Sequence, residues 1–159
     1  MKRILLVFLF VFSAFQAFSQ VRGIELKVNN IGLGASDSSV LRRIGKPMRT
    51  GKTSFNECGG GLEKSFFYSG LKMNLLGDDK GKNFSVVSIE VNSPKWSVSG
   101  IKIGADRKSV QAKFGKPSDI TRQAGLEKWS YANKGNDGGA VFYFRNNRLV
   151  KIVWESLLC

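Results

Sequence analysis

Residues 31–47, "IGLGASDSSVLRRIGKP", align without a gap on residues 101–117, "IKIGADRKSVQAKFGKP", and "GLEK" at 61–64 recurs at 125–128. Gly34 meets Gly104, Val40 meets Val110, Gly45 meets Gly115, and Lys46-Pro47 meets Lys116-Pro117. A chain that repeats itself at this spacing is expected to build one supersecondary unit twice and to bury the two copies against each other. With a one-residue slip, Phe66-Phe67-Tyr68 then falls on Trp129-Ser130-Tyr131.

Each copy opens as a short helix. Ser36 and Asp106 are N-cap residues, whose side-chain oxygens accept from the exposed N–H groups of a first turn. Val40 with Ile44, and Val110 with Phe114, are four apart and form an apolar stripe. Gly45 and Gly115 can take the left-handed conformation that ends a helix, and Pro47 and Pro117 prevent continuation. Helices this short are marginal alone. They must rest on strands, predicted at 62–68, 71–76 and 84–91 in the first copy and at 127–131, 140–145 and 149–154 in the second. Asn146-Asn147 suits a tight hairpin, since Asn tolerates positive φ. Ile24, Leu26 and Val28 are expected to add an opening strand, and "NSPKW" at 92–96 to join the halves. The expectation is an α+β fold of two tandem helix-plus-antiparallel-sheet repeats, residues 20–92 and 93–159. A continuous sheet would carry short helices on one face.

The repeat also disposes of a false motif. Gly51-Lys52-Thr53 looks like the end of a phosphate-binding loop, but that loop needs a glycine five positions earlier, where Lys46 stands. Gly45 is the helix stop, and the second copy has no Gly-Lys-Thr. Asp78, Asp79 and Asn83 lack the alternating ligand spacing and closing Glu of a calcium loop and are expected to form a solvated turn.

Residues 1–19 form a secretory signal: a basic Met1-Lys2-Arg3, an apolar run from Ile4 to Phe12, and small residues ahead of Gln20. The run is too short to span a bilayer, so the mature chain is expected to have no transmembrane segment and to be exported, periplasmic or secreted. Loss of Lys2 and Arg3 lowers the formal net charge from +13 to +11. Such a field attracts anionic partners within a Debye length of about 8 Å. Outside the cytoplasm these are an acidic protein face, anionic lipid, lipopolysaccharide or wall polymer, and not nucleic acid. Cys58 and Cys159 are the two cysteines. In an oxidising compartment they are expected to pair, with free thiols or an intermolecular bridge through Cys159 as the alternatives.

The Gly-x-Ser/Asp cap, the valine, Gly-x-Pro, the aromatic-x-Tyr and the strand hairpin, twice in order, resemble the repeat of the beta-lactamase inhibitor protein and of the BamE-like (SmpA/OmlA) outer-membrane assembly lipoproteins. The resemblance runs from Ile31 to Trp154. It implies a sheet continuing across both halves, helices on one face, and binding to other proteins rather than catalysis. Two departures keep either family's partner from being carried over. BamE-type proteins are lipidated at a first mature cysteine, absent here, and the inhibitor protein has a disulfide within each repeat.

With no histidine in the chain, Ser-His-Asp triads, Cys-His dyads and the commonest metal ligand are unavailable. Neither cofactor nor metal is expected. Glu63 and Glu127 occupy equivalent places in "GLEK", which points to a shared structural role. Aromatic residues favoured in interfaces lie on the strands, and Tyr68, Trp129, Tyr131 and Tyr143 are the candidate protein-binding residues, with Tyr131 and Tyr143 the expected exposed pair. Arg42, Arg43, Arg49, Lys52, Lys113 and Lys116 are the candidate anion-attracting residues around the two helix ends, where cations also complement the helix dipole. The sequence therefore predicts an exported, non-catalytic protein-binding module, an inhibitor or envelope-assembly partner, with an acidic protein as partner. The alternative is an envelope scaffold that binds anionic lipid or lipopolysaccharide through its basic residues.

Overall fold

A computed structural model describes residues 23–135 and 138–158; the expected signal segment, residues 1–19, lies outside them. In chain order the elements are α1 (Asp37–Ile44), β1 (Arg49–Thr50), β2 (Ser54–Asn56), β3 (Gly61–Tyr68), β4 (Leu71–Leu76), β5 (Ser85–Val91), β6 (Ser97–Val98) and β7 (Ile101–Lys102). They continue as α2 (Arg107–Phe114), β8 (Asp119–Gln123), β9 (Leu126–Ala132), β10 (Gly138–Arg145) and β11 (Arg148–Ser156). One antiparallel sheet runs β1-β3-β4-β5-β11-β10-β9-β8, with β2 also on β3, and β6-β7 form a separate two-stranded ribbon. The order reads alike outward from its middle: β4, β3 and an edge on one side, β10, β9 and an edge on the other. The centre is the β5–β11 pair, Ile152 opposite Val91 and Trp154 opposite Ile89. No helix among the described residues is long and apolar enough to cross a membrane.

Local chemistry accounts for both helices. Ser36 Oγ accepts from Ser39 N at 3.3 Å, and Asp106 Oδ1 accepts from Ser109 N at 2.8 Å. Both stop at glycine as expected, but the conformation differs from the left-handed one. Gly45 has φ 96°, ψ −174° and Gly115 has φ 82°, ψ −165°, positive φ joined to extended ψ. That region is essentially restricted to glycine and turns the chain sharply off the helix axis. Chain entry is equally local. Gly34 N donates to Val86 O (2.7 Å) and Val86 N to Ala35 O (2.9 Å), tying the approach to α1 onto β5. Gly104 N donates to Leu149 O (2.8 Å) and Leu149 N to Ala105 O (2.8 Å), tying the approach to α2 onto β11.

Both helices cover the same face. Cross-strand register sets Phe66, Met73, Ile89, Trp154, Ala140 and Tyr131 in one buried row, and Leu71, Val91, Ile152, Phe142 and Trp129 in the next. Val40 of α1 and Val110 of α2, each fully buried, press onto these rows. Burying a side chain of this size stabilises by roughly 1.5–3 kcal/mol. The opposite face is solvated.

One expectation is corrected here. Ile24, Leu26 and Val28 are buried, but only isolated bridges, Ile24 to Asn133 and Val28 to Ile31 and Val98, replace the expected strand. The 92–96 junction is anchored: Trp96 is buried and its Nε1 donates to Ser69 O at 2.8 Å. Gly51-Lys52-Thr53 is the interruption between two fragments, β1 and β2, that both pair with β3, and Gly51 N donates to Ser65 O at 2.8 Å. Asn146 and Asn147 adopt φ 48° and 62°, as a tight hairpin requires. Asp78 spends its carboxylate on its own turn, accepting from Lys80 N, Lys82 N and Asn83 Nδ2.

Candidate functional site

Side chains alternate between the faces of a strand, and Tyr131 is in register with Ala140, three residues from Tyr143 on β10, so the two tyrosines emerge on opposite faces. Tyr131 is 4% exposed, not the exposed residue expected from sequence, because it shares the helix-covered face with Trp129. Its Oη donates to Gly115 O at 3.1 Å, and its ring packs edge-on against Phe114 and Phe142. Burial pushes the Tyr131 hydroxyl up to about 12. Tyr68 does the same for α1, donating to Gly45 O at 3.0 Å, and burial raises its pKa too. Trp129 is buried against Phe144, ring centroids 4.9 Å apart. Of the four candidate aromatics, Tyr143 alone lies on the solvated face.

There it has company that periodicity did not reveal. Tyr143 pairs with Lys128 of β9 on one side and Lys151 of β11 on the other. Their Nζ atoms lie 5.8 and 4.6 Å from its ring centroid. Phe67 is flanked likewise: Arg49 of β1 lies opposite it with its guanidinium carbon 3.8 Å from the ring, and Lys72 of β4 has Nζ at 5.7 Å. Both distances fall within cation–π range. Glu90, Val153 and Val141 continue the row of the first triplet across the sheet, Lys72 to Glu90 to Val153 to Val141, and the second triplet lies one alternation further along the strands. No ion pair among the described residues takes up Arg49, Lys72, Lys128 or Lys151. The solvated face thus holds four cations against aromatic rings with no ion pair to them among the described residues, Glu90 standing cross-strand from Lys72.

The candidate anion-attracting residues divide. Arg42 and Arg43 are exposed in the last turn of α1, with Lys52 beyond it; Lys113 and Lys116 are exposed at the end of α2. The tyrosine clamps of the two helices stand on β3 and β9, five strand spacings or about 24 Å apart. They are therefore two separate clusters, and Arg49 belongs to neither, since it crosses to the solvated face.

Glu63 and Glu127 also separate. The one-residue slip between "GLEK" and the following aromatics flips the face on which each glutamate emerges. Glu63 points away from the helices and accepts from Asn56 Nδ2. Glu127 points under α2 and is 6% exposed. Oε1 accepts from Trp129 Nε1 at 2.7 Å and Oε2 from Arg122 Nε at 2.6 Å, while Arg107 Nε stands 2.8 Å from Oε1. Burial, the largest single effect, pushes the Glu127 pKa up. The Arg122 and Trp129 hydrogen bonds and the Arg107 and Arg122 charges outweigh it and hold the carboxyl below its ordinary value. At the start of α1 the place of Arg107 is taken by Asp37, and Lys64 Nζ reaches its carboxylate at 3.0 Å. The two helix starts carry ion pairs of opposite polarity. The expected pairing of Cys58 involves Cys159, which lies outside the described residues.

No family model matches the chain, and no curated protein does. Among solved structures, an extracellular protein containing a SCP domain from Bacillus anthracis has a TM-score of 0.50 at 14% identity, over 79% of this chain and 44% of its own. A DUF4309 family protein from Bacillus subtilis has 0.43 at 10% identity, over 77% and 78%. A Streptococcus mutans protein provisionally described as a beta-lactamase inhibitor protein has 0.31 at 19% identity, over 78% and 84%. The chain spans less than half of the Bacillus anthracis protein, and that likeness concerns the fold alone. The two lower scores carry no argument.

Proposed function

We propose that the chain is an exported, non-catalytic binding protein built from two copies of one helix-plus-sheet unit, and that it docks an acidic protein on its solvated sheet face. The observation that carries this reading is the pair of cation–aromatic–cation triplets, Arg49–Phe67–Lys72 and Lys128–Tyr143–Lys151. A lysine held over a ring loses less side-chain entropy on meeting a carboxylate than a free one, and unpaired cations favour an acidic surface by charge complementarity. The central pairing of β5 with β11 makes the two triplets parts of one continuous surface.

The two-copy origin is supported by the matching backbone bonds at Gly34 and Gly104 and the matching tyrosine clamps on Gly45 and Gly115. The beta-lactamase inhibitor-like and BamE-like reading of the sequence belongs to this proposal. The absence of histidine from the sequence supports a non-catalytic role. Export is supported by the N-terminal sequence and by the fold's occurrence in a protein described as extracellular.

The test is capture of a partner from envelope extract by the mature protein at about 150 mM salt, where exposed charges still act over about 8 Å. An acidic protein recovered in stoichiometric amount, and lost on Tyr143→Ala or Lys128→Gln/Lys151→Gln, supports the reading. Retention by both variants refutes it. Flotation with anionic but not neutral vesicles, unaffected by Tyr143→Ala, would move the function to the helix-side clusters and to a lipid surface.

A further inference from the structure

A second, smaller site lies on the other side of the sheet. A cavity of about 340 Å³ opens between the start of α2 and the β8–β9 and β10–β11 turns, lined by Arg107, Arg122, Leu126, Glu127, Phe144 and Asn146 among others. We propose that this cavity binds a single carboxylate.

One buried carboxylate, Glu127, faces two guanidinium groups, so the cluster holds one positive charge more than its own pairing uses. At the corresponding place beside α1, Lys64 and Asp37 balance one to one. The geometry leaves the excess available. Arg122 meets Glu127 through Nε, and Arg107 approaches it through Nε without the alignment of a hydrogen bond, leaving that buried N–H unpaired. No described residue accepts from the terminal nitrogens of either arginine. A guanidinium whose terminal nitrogens are free presents the fork that grips a carboxylate through two parallel bonds.

The surroundings favour a small, singly charged ligand. Arg107 lies over the Phe144 ring with its guanidinium carbon 5.9 Å from the centroid, so one wall is apolar and strengthens charge pairing. The volume is at the small end for ligand sites and suits a short acid or one acidic side chain. A phosphate, carrying about one and a half to two charges at neutral pH, would overcompensate the single excess. Glu127 stays ionised in this setting, so its charge remains in the count.

Trp129 Nε1, bonded to Glu127 Oε1, is a built-in reporter. Mature protein labelled with nitrogen-15 is titrated at constant ionic strength with propionate, with the capped peptide acetyl-Gly-Glu-Gly-amide, and with inorganic phosphate. We expect saturable movement of the Trp129 indole signal with propionate, the peptide or both, at least about tenfold tighter than phosphate. Arg122→Gln should weaken binding about tenfold, the loss of one charge-assisted contact. Saturation by propionate alone makes the ligand a free acid; saturation by the peptide makes it a polypeptide side chain. The Arg122 side chain is 77% exposed, so its replacement leaves the fold in place, checked by unshifted Trp96 and Trp154 indole signals before titration. Non-saturating shifts with both carboxylates, equal binding of phosphate, or unchanged binding in Arg122→Gln would overturn the assignment. Tyr143→Ala, on the opposite face, should leave this titration unaltered, which separates the site from the sheet-face reading.

Discussion

Tyr131 donates its hydroxyl proton to the carbonyl of Gly115 across 3.1 Å, clamping the last turn of α2 to β9, and Tyr68 holds Gly45 at 3.0 Å in the other half of the sheet. Helix ends leave carbonyls without intrahelical partners, and these two are satisfied by a half-buried and a buried phenol, Tyr68 and Tyr131. Tyr131→Phe and Tyr68→Phe should each cost about 1 kcal/mol, the net worth of a neutral hydrogen bond. Urea denaturation measures both. Because the clamps stand on opposite halves, the double variant should be additive within about 0.5 kcal/mol.

The Tyr131 clamp also has a pH signature. Its folded pKa of about 12 lies above the ordinary value of 10, so the native state holds the proton more tightly than the unfolded chain. Its stabilisation is complete below pH 10 and is lost as pH rises through 12. Lysines titrate in the same range, so the readout is a difference. Melting temperature should fall more steeply between these pH values in the native sequence than in Tyr131→Phe. Equal slopes would mean the phenol ionises as freely in the fold as outside it.

Glu127 gives the opposite slope. With its folded pKa held below the ordinary 4.5, its stabilisation is present above that pH and disappears as pH falls below it. Glu127→Gln should cost about 2–4 kcal/mol at pH 7, somewhat less than a fully buried broken pair because Arg122 can hydrate. The variant should also lose the corresponding part of the acid dependence below pH 4.5. Denaturation midpoints at neutral and acidic pH decide it.

Gly45→Ala and Gly115→Ala isolate backbone strain. A methyl group at either position meets nothing within 4 Å, so crowding makes no contribution. The cost should be about 1–3 kcal/mol, from forcing a Cβ into positive φ with extended ψ. Calorimetry of both variants should show lowered melting temperatures with unchanged helix content. An unchanged melting temperature would mean that the chain leaves α1 and α2 by another path.

The start of β3 and the end of β11 share one end of the sheet, through Glu63–Leu76, Leu76–Ser85 and Ser88–Glu155. Three strand spacings, about 14 Å, separate them; the four residues after Glu155 reach about 13 Å, and a disulfide itself spans about 5.5–6 Å between Cα atoms. A Cys58–Cys159 bridge is therefore within reach. Intact mass without reductant should be lower by two hydrogen atoms than with it, and monomeric. Closing a loop of about 100 residues should stabilise by as much as about 4.7 kcal/mol, lost in Cys58→Ser. A disulfide-linked dimer, or no mass difference, would rule the bridge out.

Helix boundaries at 37–44 and 107–114 were legible from residues because caps and stops are local: Ser36, Asp106, Gly45, Gly115 and the two prolines act within a turn of themselves. The strand at 71–76 was legible as well, since Leu71, Met73 and Leu75 alternate with Lys72, Asn74 and Leu76 on a half-buried surface. The edge strands β1 and β8 were not, because every residue in them is exposed and burial imposes no alternation. Nor was the Arg107–Glu127–Arg122 cluster, whose members are drawn from a helix start and two strands.

By itself the sequence determined the small units: where helices start and stop, where strands alternate, and that one arrangement occurs twice in the lettering. Only the tertiary structure decided faces. Whether Tyr131 or Tyr143 meets solvent, and whether Glu63 or Glu127 goes under a helix, depends on which side the helices cover and on a one-residue shift of register. Alternation has period two, so such a shift sends every side chain to the other face, and no local signal records which face is which.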